Sequence, residues 1–134
     1  MTNLRLLYNR LLSCTIILIA ISFGNSVAQS QNTYMRIAKI TVDSTQLSNY
    51  LMALKTQMKA ALKHEKKGVL AYSAVQDKQH PHRITILETY ASVAAYQSHI
   101  QTDHFKRYKT TVADMVKELE LTDVIPITIQ TKQK

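Results

Sequence analysis

The chain has 134 residues, a formal net charge of +8 and a single cysteine. This length suits one domain, and a lone cysteine excludes an intramolecular disulfide. The excess of basic residues suggests an anionic partner, but four of the lysines recur every three or four residues, as on the solvated face of an amphipathic helix. They are Lys55, Lys59, Lys63 and Lys66. Because no nucleic-acid recognition motif accompanies them, we predict a solvated helix face and no nucleic-acid partner.

Residues 1–28 have the three-part organisation of a secretory signal peptide. Two arginines precede an apolar run, residues 11–23, and small residues follow it. The run is short for a bilayer span, although an uncleaved N-terminal anchor is the alternative. We therefore expect cleavage before Gln29, export to the periplasm or the exterior, and loss of Cys14 with the signal. The mature protein would then be a single domain, residues 29–134, free of the membrane.

The mature sequence begins with a predicted strand followed by a helix. Residues 35–42 are rich in β-branched side chains, which favour a strand. Apolar side chains then recur at three and four residues from Leu47 to Leu62, the period of one helical face. Asp43 and Ser44 are good residues to cap this helix, and Gly68 is expected to end it in a left-handed conformation.

Two further strands are predicted after this helix. Residues 69–76 and 83–90 are apolar, and the turn between them contains Pro81. Side chains alternate between the two faces of a strand. On the first of these strands the inward residues would be Leu70, Tyr72 and Ala74. On the second they would be Ile84, Ile86, Glu88 and Tyr90.

The rest of the chain predicts a second helix, broken in two, and a last strand. Ser92 can cap a short helix, and Thr102 or Asp103 can cap a longer one. Apolar residues recur at helical spacing from Phe105 to Leu119, which extends the longer helix to that residue. Residues 124–130 alternate in the manner of a final strand.

The order of elements is β-α-β-β-α-β. This order predicts an α+β, ferredoxin-like fold, in which helices cover one face of a four-stranded antiparallel sheet. The other face carries aliphatic side chains and needs a cover. Because a domain of this size gains much by burying such a face against a second copy, we expect a homodimer.

The stretch from Ile86 to Tyr108 resembles the signature of the antibiotic biosynthesis monooxygenase family. That signature has a Glu-x-aromatic step at the end of the third strand, a histidine on a short helix and a His-Phe step opening the next helix. The corresponding residues are Glu88, Tyr90, His99, His104 and Phe105. The resemblance implies a dimeric α+β barrel that oxidises a small quinol or hydroxy-aromatic compound with O2 and has no cofactor.

Two positions depart from the family pattern. The aromatic residue after the glutamate is commonly Trp, and here it is Tyr90. Haem-degrading members have a ligand histidine shortly after the His-Phe step, where this chain has Lys109. The resemblance therefore predicts a quinol-monooxygenase-like protein rather than a haem-degrading one.

The resemblance also implies roles for individual residues. Glu88 or a histidine would be the base that removes a phenolic proton, and His99 and His104 would stabilise developing negative charge. The substrate-binding residues would be Tyr72, Tyr90, Tyr108 and Phe105. The break between the two short helices would turn His99, His104 and Tyr108 toward one cleft.

Structural roles are the alternative for the same residues. Glu88 would pair with Arg36 or Arg83, and each histidine would make only a structural hydrogen bond. His99 and His104 lie five residues apart, so they cannot chelate one metal ion from a continuous helix, and no metal is predicted. The alternative functions are a non-catalytic barrel that binds a small hydrophobic ligand, and an isomerase or lyase acting on a small carbonyl compound.

Overall fold

The computed structural model describes residues 33–130, all of which belong to the second of two units, Asn32–Lys134. The predicted signal peptide and its cleavage site before Gln29 lie outside the described residues. Within residues 33–130, no helix combines the length and the apolar character that a membrane span requires.

One antiparallel sheet and three helices make up the fold. The strands are β1 (Tyr34–Val42), β2 (Val69–Gln76), β3 (Arg83–Tyr90) and β4 (Val116–Val124), in the spatial order β2-β3-β1-β4. The helices are α1 (Leu47–His64), α2 (Val93–His99) and α3 (Asp103–Val112). The predicted α+β, ferredoxin-like β-α-β-β-α-β fold is therefore confirmed.

Strand β3 has the predicted alternation. Ile84 and Ile86 are buried on the side of the sheet that the helices cover, whereas Thr85 and Leu87 are exposed on the other side. Because Glu88 follows at the same period of two, it also faces the helices. Helix α1 covers this face with its own apolar stripe, and three of the four predicted surface lysines are exposed on it, while the fourth, Lys66, is exposed in the turn after it.

A bulge in β2 corrects the predicted inward residues of that strand. The pairing with β3 shifts between Val69 and Ala71, so Val69 is 3% exposed and Leu70 is 50% exposed. An extra residue in one strand reverses the alternation on one side of the bulge. Tyr72 still faces the helices, as predicted, because it lies opposite Glu88.

The prediction that Gly68 ends α1 in a left-handed conformation is wrong. Within residues 33–130 no residue has a positive φ angle. Helix α1 ends instead where the backbone N–H of Glu65 donates to the carbonyl oxygen of Ala61, and a turn follows in which Gly68 N–H donates to Glu65 O at 2.9 Å. The chain therefore leaves α1 through this turn, without a residue in the left-handed conformation.

The boundary between the last helix and the last strand is also corrected. Helix α3 ends at Val112, and the predicted helical residue Leu119 lies in β4, opposite Ile40 of β1. Residues 125–130, where the final strand was predicted, have no strand assignment. Residues 116–124 alternate apolar and charged side chains, and pairing with the free edge of β1 overrides the helical spacing.

Candidate active site

A cavity of about 90 Å³ lies between the helix-covered face of the sheet and the helices. The sheet contributes Arg36, Ile86 and Glu88 to its lining, and the helices contribute Tyr96, Phe105 and Tyr108. The cavity is larger than one water molecule needs but smaller than the roughly 300–1,000 Å³ of sites for drug-sized ligands. An occupant is therefore limited to a small compound.

Glu88 is the carboxyl group of this cavity. Burial raises the pKa of Glu88, and the hydrogen bond from Tyr90 and the charge of Arg36 only partly oppose that rise. The predicted alternative, a salt bridge to Arg36 or Arg83, is wrong, because Glu88 makes no ion pair within the described residues. Its side-chain partner is the Tyr90 hydroxyl group, which donates to Oε2 at 3.0 Å. A carboxyl group in this setting can exchange a proton with a bound compound.

Arg36 is a cavity residue that the sequence analysis did not assign to the site. Its guanidinium group donates to Asp123 Oδ1 at 2.7 Å and also to the hydroxyl group of Tyr96. The guanidinium carbon lies 4.3 Å from the centre of the Tyr96 ring, within the range of a cation–π interaction. Since Asp123 belongs to β4, only the pairing of β1 with β4 reveals this arrangement. These contacts hold the positively charged guanidinium group at the side of the cavity that the sheet forms.

Five side chains form one continuous series of hydrogen bonds, which we call the Glu88–Glu65 chain. Its members, in order, are Glu88, Tyr90, Tyr72, His99 and Glu65. The two tyrosine hydroxyl oxygens lie 2.7 Å apart, and the Tyr72 oxygen lies 2.8 Å from Nε2 of His99. Nδ1 of His99 lies 2.8 Å from Oε1 of Glu65. A carboxyl group of the cavity is thus connected to a second carboxylate near the surface.

Burial determines the charge states in the middle of this chain. Tyr90 and His99 are 0% exposed. Burial raises the pKa values of Tyr72 and Tyr90 above their usual range, so both hydroxyl groups keep their protons. Burial also lowers the pKa of His99, although its hydrogen bond to Glu65 opposes that effect. The imidazole of His99 is therefore favoured in its neutral form.

The break between α2 and α3 brings the two predicted histidines together but turns neither of them into the cavity. The ring centres of His99 and His104 lie 6.0 Å apart. His104 lines a separate groove of about 420 Å³ between α1 and α3, where its Nδ1 lies 2.9 Å from Gln57 Oε1. Its Nε2 lies 2.9 Å from Glu65 Oε1 but does not point along a hydrogen bond to it. The expectation of one shared cleft is therefore wrong for these two residues.

The remaining predicted residues divide between the cavity and its support. Phe105 and Tyr108 line the cavity, whereas Tyr72 and Tyr90 lie behind Glu88 in the hydrogen-bonded chain. The hydroxyl group of Tyr108 lies 2.9 Å from that of Tyr50, another residue that the sequence analysis did not assign to the site. Within residues 33–130 no cluster of three or more histidine, cysteine and acidic side chains is placed to hold a metal ion.

Comparison with known proteins gives both a family and similar structures. The sequence profile of the antibiotic biosynthesis monooxygenase family matches residues 33–111. A candidate antibiotic biosynthesis monooxygenase from Bacteroides thetaiotaomicron VPI-5482 is 42% identical with a TM-score of 0.73, over 78% of this chain and 99% of that one. A candidate monooxygenase from Lactobacillus acidophilus NCFM is 26% identical with a TM-score of 0.67, over 69% of this chain but only 43% of that one. Comparison with curated proteins finds no match.

The matched segment contains most of the cavity lining and every member of the Glu88–Glu65 chain. It also contains the Glu-x-aromatic and His-Phe steps on which the resemblance depended. The profile match covers more than half of the sequence, and the Bacteroides structure is matched over nearly its whole length. The chain therefore belongs to the antibiotic biosynthesis monooxygenase family.

Proposed function

We propose that this protein is an exported, homodimeric monooxygenase that oxidises a small quinol or hydroxy-aromatic compound with O2 and requires no metal, flavin or haem. Family membership supports the reaction class. The observation that carries the proposal is the position of Glu88, a buried carboxyl group in a small cavity that aromatic side chains also line. A cavity of this size suits a compound with one ring rather than a haem.

The reaction can be written with this cavity and O2 alone. The Glu88 carboxylate removes the phenolic proton, and the electron-rich anion passes an electron to O2. The substrate radical and the superoxide that result join as a peroxide at a ring carbon that carries hydrogen. Glu88 then gives the proton that it took from the substrate to the peroxide. The O–O bond then breaks as the ring carbon loses its hydrogen as a proton, and this proton joins the leaving hydroxide. One oxygen atom remains as a carbonyl group, and the other leaves as water.

The other cavity residues have matching tasks in this proposal. Negative charge develops first on the phenolate and then on the peroxide, and the Arg36 guanidinium would stabilise both. Phe105 and Tyr108 would contact the ring. Burial raises the pKa of the Tyr108 hydroxyl group, so it would remain a hydrogen-bond donor throughout the reaction.

The alternative of a non-catalytic barrel would be favoured by an interior that side chains fill completely. The buried carboxyl group beside the cavity argues against that reading, because its burial costs stability and a hydrophobic ligand would make no use of it. Such costs are typical of functional sites.

Export and dimerisation have separate support. Residues 1–28 have the composition of a signal peptide, and the sheet has one face that no helix covers. If the protein is exported as proposed, sequencing the protein recovered from outside the cytoplasm will give an N-terminus at Gln29. Recovery with Met1 intact would support the uncleaved anchor.

Oxygen consumption tests the proposed reaction directly. Purified, chelator-treated protein should consume O2 above the autoxidation rate with at least one member of a panel of monocyclic quinols and phenols. We expect Glu88→Gln to lower that rate by roughly 100-fold or more, since general base catalysis contributes 10²–10⁴-fold. Glu118→Gln, which changes an exposed glutamate of β4, is the matched control. No consumption with any compound, or an unchanged rate in Glu88→Gln, would reject this function.

A further inference from the structure

The Glu88–Glu65 chain contains more hydrogen bonds than its tyrosines have protons to supply. Three contacts join Glu88 to Tyr90 at 3.0 Å, Tyr90 to Tyr72 at 2.7 Å, and Tyr72 to Nε2 of His99 at 2.8 Å. Each contact needs one proton between its two atoms, and each phenol carries only one. Two hydroxyl groups therefore supply two of the three protons required.

The ends of the chain limit where the third proton can be. On the far side of His99, Nδ1 lies 2.8 Å from Oε1 of Glu65, so an ionised Glu65 requires the hydrogen on Nδ1. Nε2 carries a hydrogen only if the imidazole is charged. The third proton is therefore either on Glu88, with both hydroxyl groups directed toward His99, or on Nε2 of His99, with both directed toward Glu88. In both arrangements every contact is satisfied.

We infer that Glu88, Tyr90, Tyr72 and His99 share this one proton, and that its transfer to His99 makes Glu88 the carboxylate that accepts the substrate proton. The catalytic part of this inference rests on the function proposed above. The sharing itself follows from the contacts. Each group passes one proton to the next group as it receives one, so only O–H and N–H bonds of these four side chains break and form.

The surroundings of the chain explain why both states are accessible. Burial raises the pKa of Glu88 and lowers that of His99, and both effects favour the state with the proton on Glu88. Glu65 compensates the opposite state, because its carboxylate lies directly against the imidazolium that forms. The Glu65 side chain is 13% exposed, and its neighbour His104 is 20% exposed, so this end of the chain adjoins solvent while the Glu88 end adjoins the cavity.

A buried acid at rest is a poor base, and the chain removes that difficulty. A substrate in the cavity would otherwise meet a protonated Glu88 with nowhere to send its proton. With the chain, the resting proton moves to His99 as the substrate approaches, and it returns to Glu88 once Glu88 has given the substrate's proton to the peroxide. Tyr72 and His99 thus act as positioning residues, since neither lines the cavity.

Spectroscopy of the full protein at neutral pH tests the shared proton without any substrate. Infrared absorption reports a protonated carboxylic acid, which loss of the band in Glu88→Gln assigns, and ¹⁵N NMR reports the protonation of both His99 nitrogens. We expect the acid band together with a neutral His99 that carries hydrogen on Nδ1. A missing acid band with a charged His99 also supports the proposal. Both ends protonated, or both unprotonated, would overturn it.

A matched variant separates the chain from general packing. Tyr34→Phe removes a tyrosine hydroxyl group that belongs neither to the chain nor to the cavity lining, and that donates to Asp123 Oδ1 at 2.7 Å. It should leave the Glu88 band and the His99 signals unchanged. Tyr72→Phe should shift the His99 Nε2 signal, because it removes the only donor that the described residues direct at that atom. An unchanged Nε2 signal in Tyr72→Phe would count against the chain.

Kinetics test the catalytic part. With a quinol that the wild-type protein oxidises, we expect Tyr72→Phe to lower kcat roughly 100-fold with little change in KM, and small proton-accepting buffers to restore part of kcat. A purely structural role for Tyr72 would give no dependence on buffer concentration, and that result would reject the relay. If the wild-type protein oxidises no quinol, the proposed function fails, while the spectra still decide whether the proton is shared.

Discussion

At the scale of single residues, Glu88 and Arg36 are opposed across β1 and β3 but do not form an ion pair. Arg36 lies opposite Glu88 on one side and Asp123 on the other, and its guanidinium group is taken up by Asp123 and Tyr96. The carboxyl group of Glu88 is left with a tyrosine hydroxyl partner. Burial therefore outweighs the positive charge nearby, and the pKa of Glu88 is raised above its ordinary value of 4.5.

This raised pKa predicts a pH-dependent effect of Glu88→Gln on stability. Above pH 4.5 the unfolded chain releases the Glu88 proton while the folded protein retains it, so the wild-type protein loses stability as the pH rises toward the folded pKa. The variant lacks this loss. We expect the free energy of unfolding of the variant to gain on that of the wild type with increasing pH, by at most about 1.4 kcal/mol per pH unit.

Urea unfolding at a series of pH values measures this difference. Burial lowers the pKa of His99, so protonation of His99 costs the protein stability as the pH falls. Because the Glu88–Glu65 chain allows Glu88→Gln to alter this contribution, ¹⁵N NMR of His99 in both proteins measures it separately. Glu118→Gln changes an exposed carboxyl group and serves as the control. A free energy of unfolding of Glu88→Gln that falls relative to that of the wild type as the pH rises would contradict a raised pKa.

At the scale of elements, the break between α2 and α3 determines where the two histidines point. Thr102 stabilises this break in two ways: its hydroxyl group accepts from Phe105 N–H at 3.3 Å and donates to the carbonyl oxygen of His99 at 2.7 Å. One side chain thus caps α3 and closes the end of α2. His99 can then face Tyr72 while His104 faces the groove on the other side of Glu65.

We predict that Thr102→Ala lowers the free energy of unfolding by about 1 kcal/mol, the usual value of a helix cap. Chemical denaturation measures the change. Thr110→Ala makes the same substitution at an exposed position within α3 and should alter stability by much less. Equal effects of the two substitutions would show that the cap contributes nothing beyond the general effect of losing a threonine.

At the scale of the whole molecule, one face of the sheet has no helix over it. Val75 and Leu87 are exposed on that face, and after β4 come the still more exposed Ile125 and Ile127, at 91% and 101%. The isoleucines alternate at the period of a strand although they belong to none here. Exposed apolar area of this kind is typical of surfaces that bind another protein, which supports the proposed homodimer.

Sedimentation velocity should accordingly give the mass of two chains. We expect Leu87→Lys to raise the dissociation constant roughly 30-fold, because it removes about 2 kcal/mol of apolar burial from the proposed interface. Val93→Lys is the matched control, since Val93 is also apolar and exposed, at 56% against 37% for Leu87, but lies on α2. A wild-type monomer, or equal weakening by both substitutions, would count against pairing through the sheet.

The sequence alone determined those parts of the protein that depend on near neighbours in the chain. The helical period from Leu47 to Leu62 fixed the position of α1, and the alternation in residues 83–90 put Glu88 and Tyr90 on one face. Ser92 marked the start of α2, and the adjacent capping candidates Thr102 and Asp103 marked the start of α3, where Thr102 is the cap. Periodicity and capping act over a few residues, so a linear reading captures them.

Only the tertiary structure decided what depends on distant partners. The strand character of residues 116–124 comes from pairing with β1, and the burial of Glu88 comes from the helices that cover the sheet. The Glu88–Glu65 chain draws its members from α1, β2, β3 and α2, and nothing in the spacing of Glu65 indicated that it would meet His99. Such contacts form only when packed elements bring together side chains that the sequence separates, which is why the sequence predicted the fold more fully than it predicted the site.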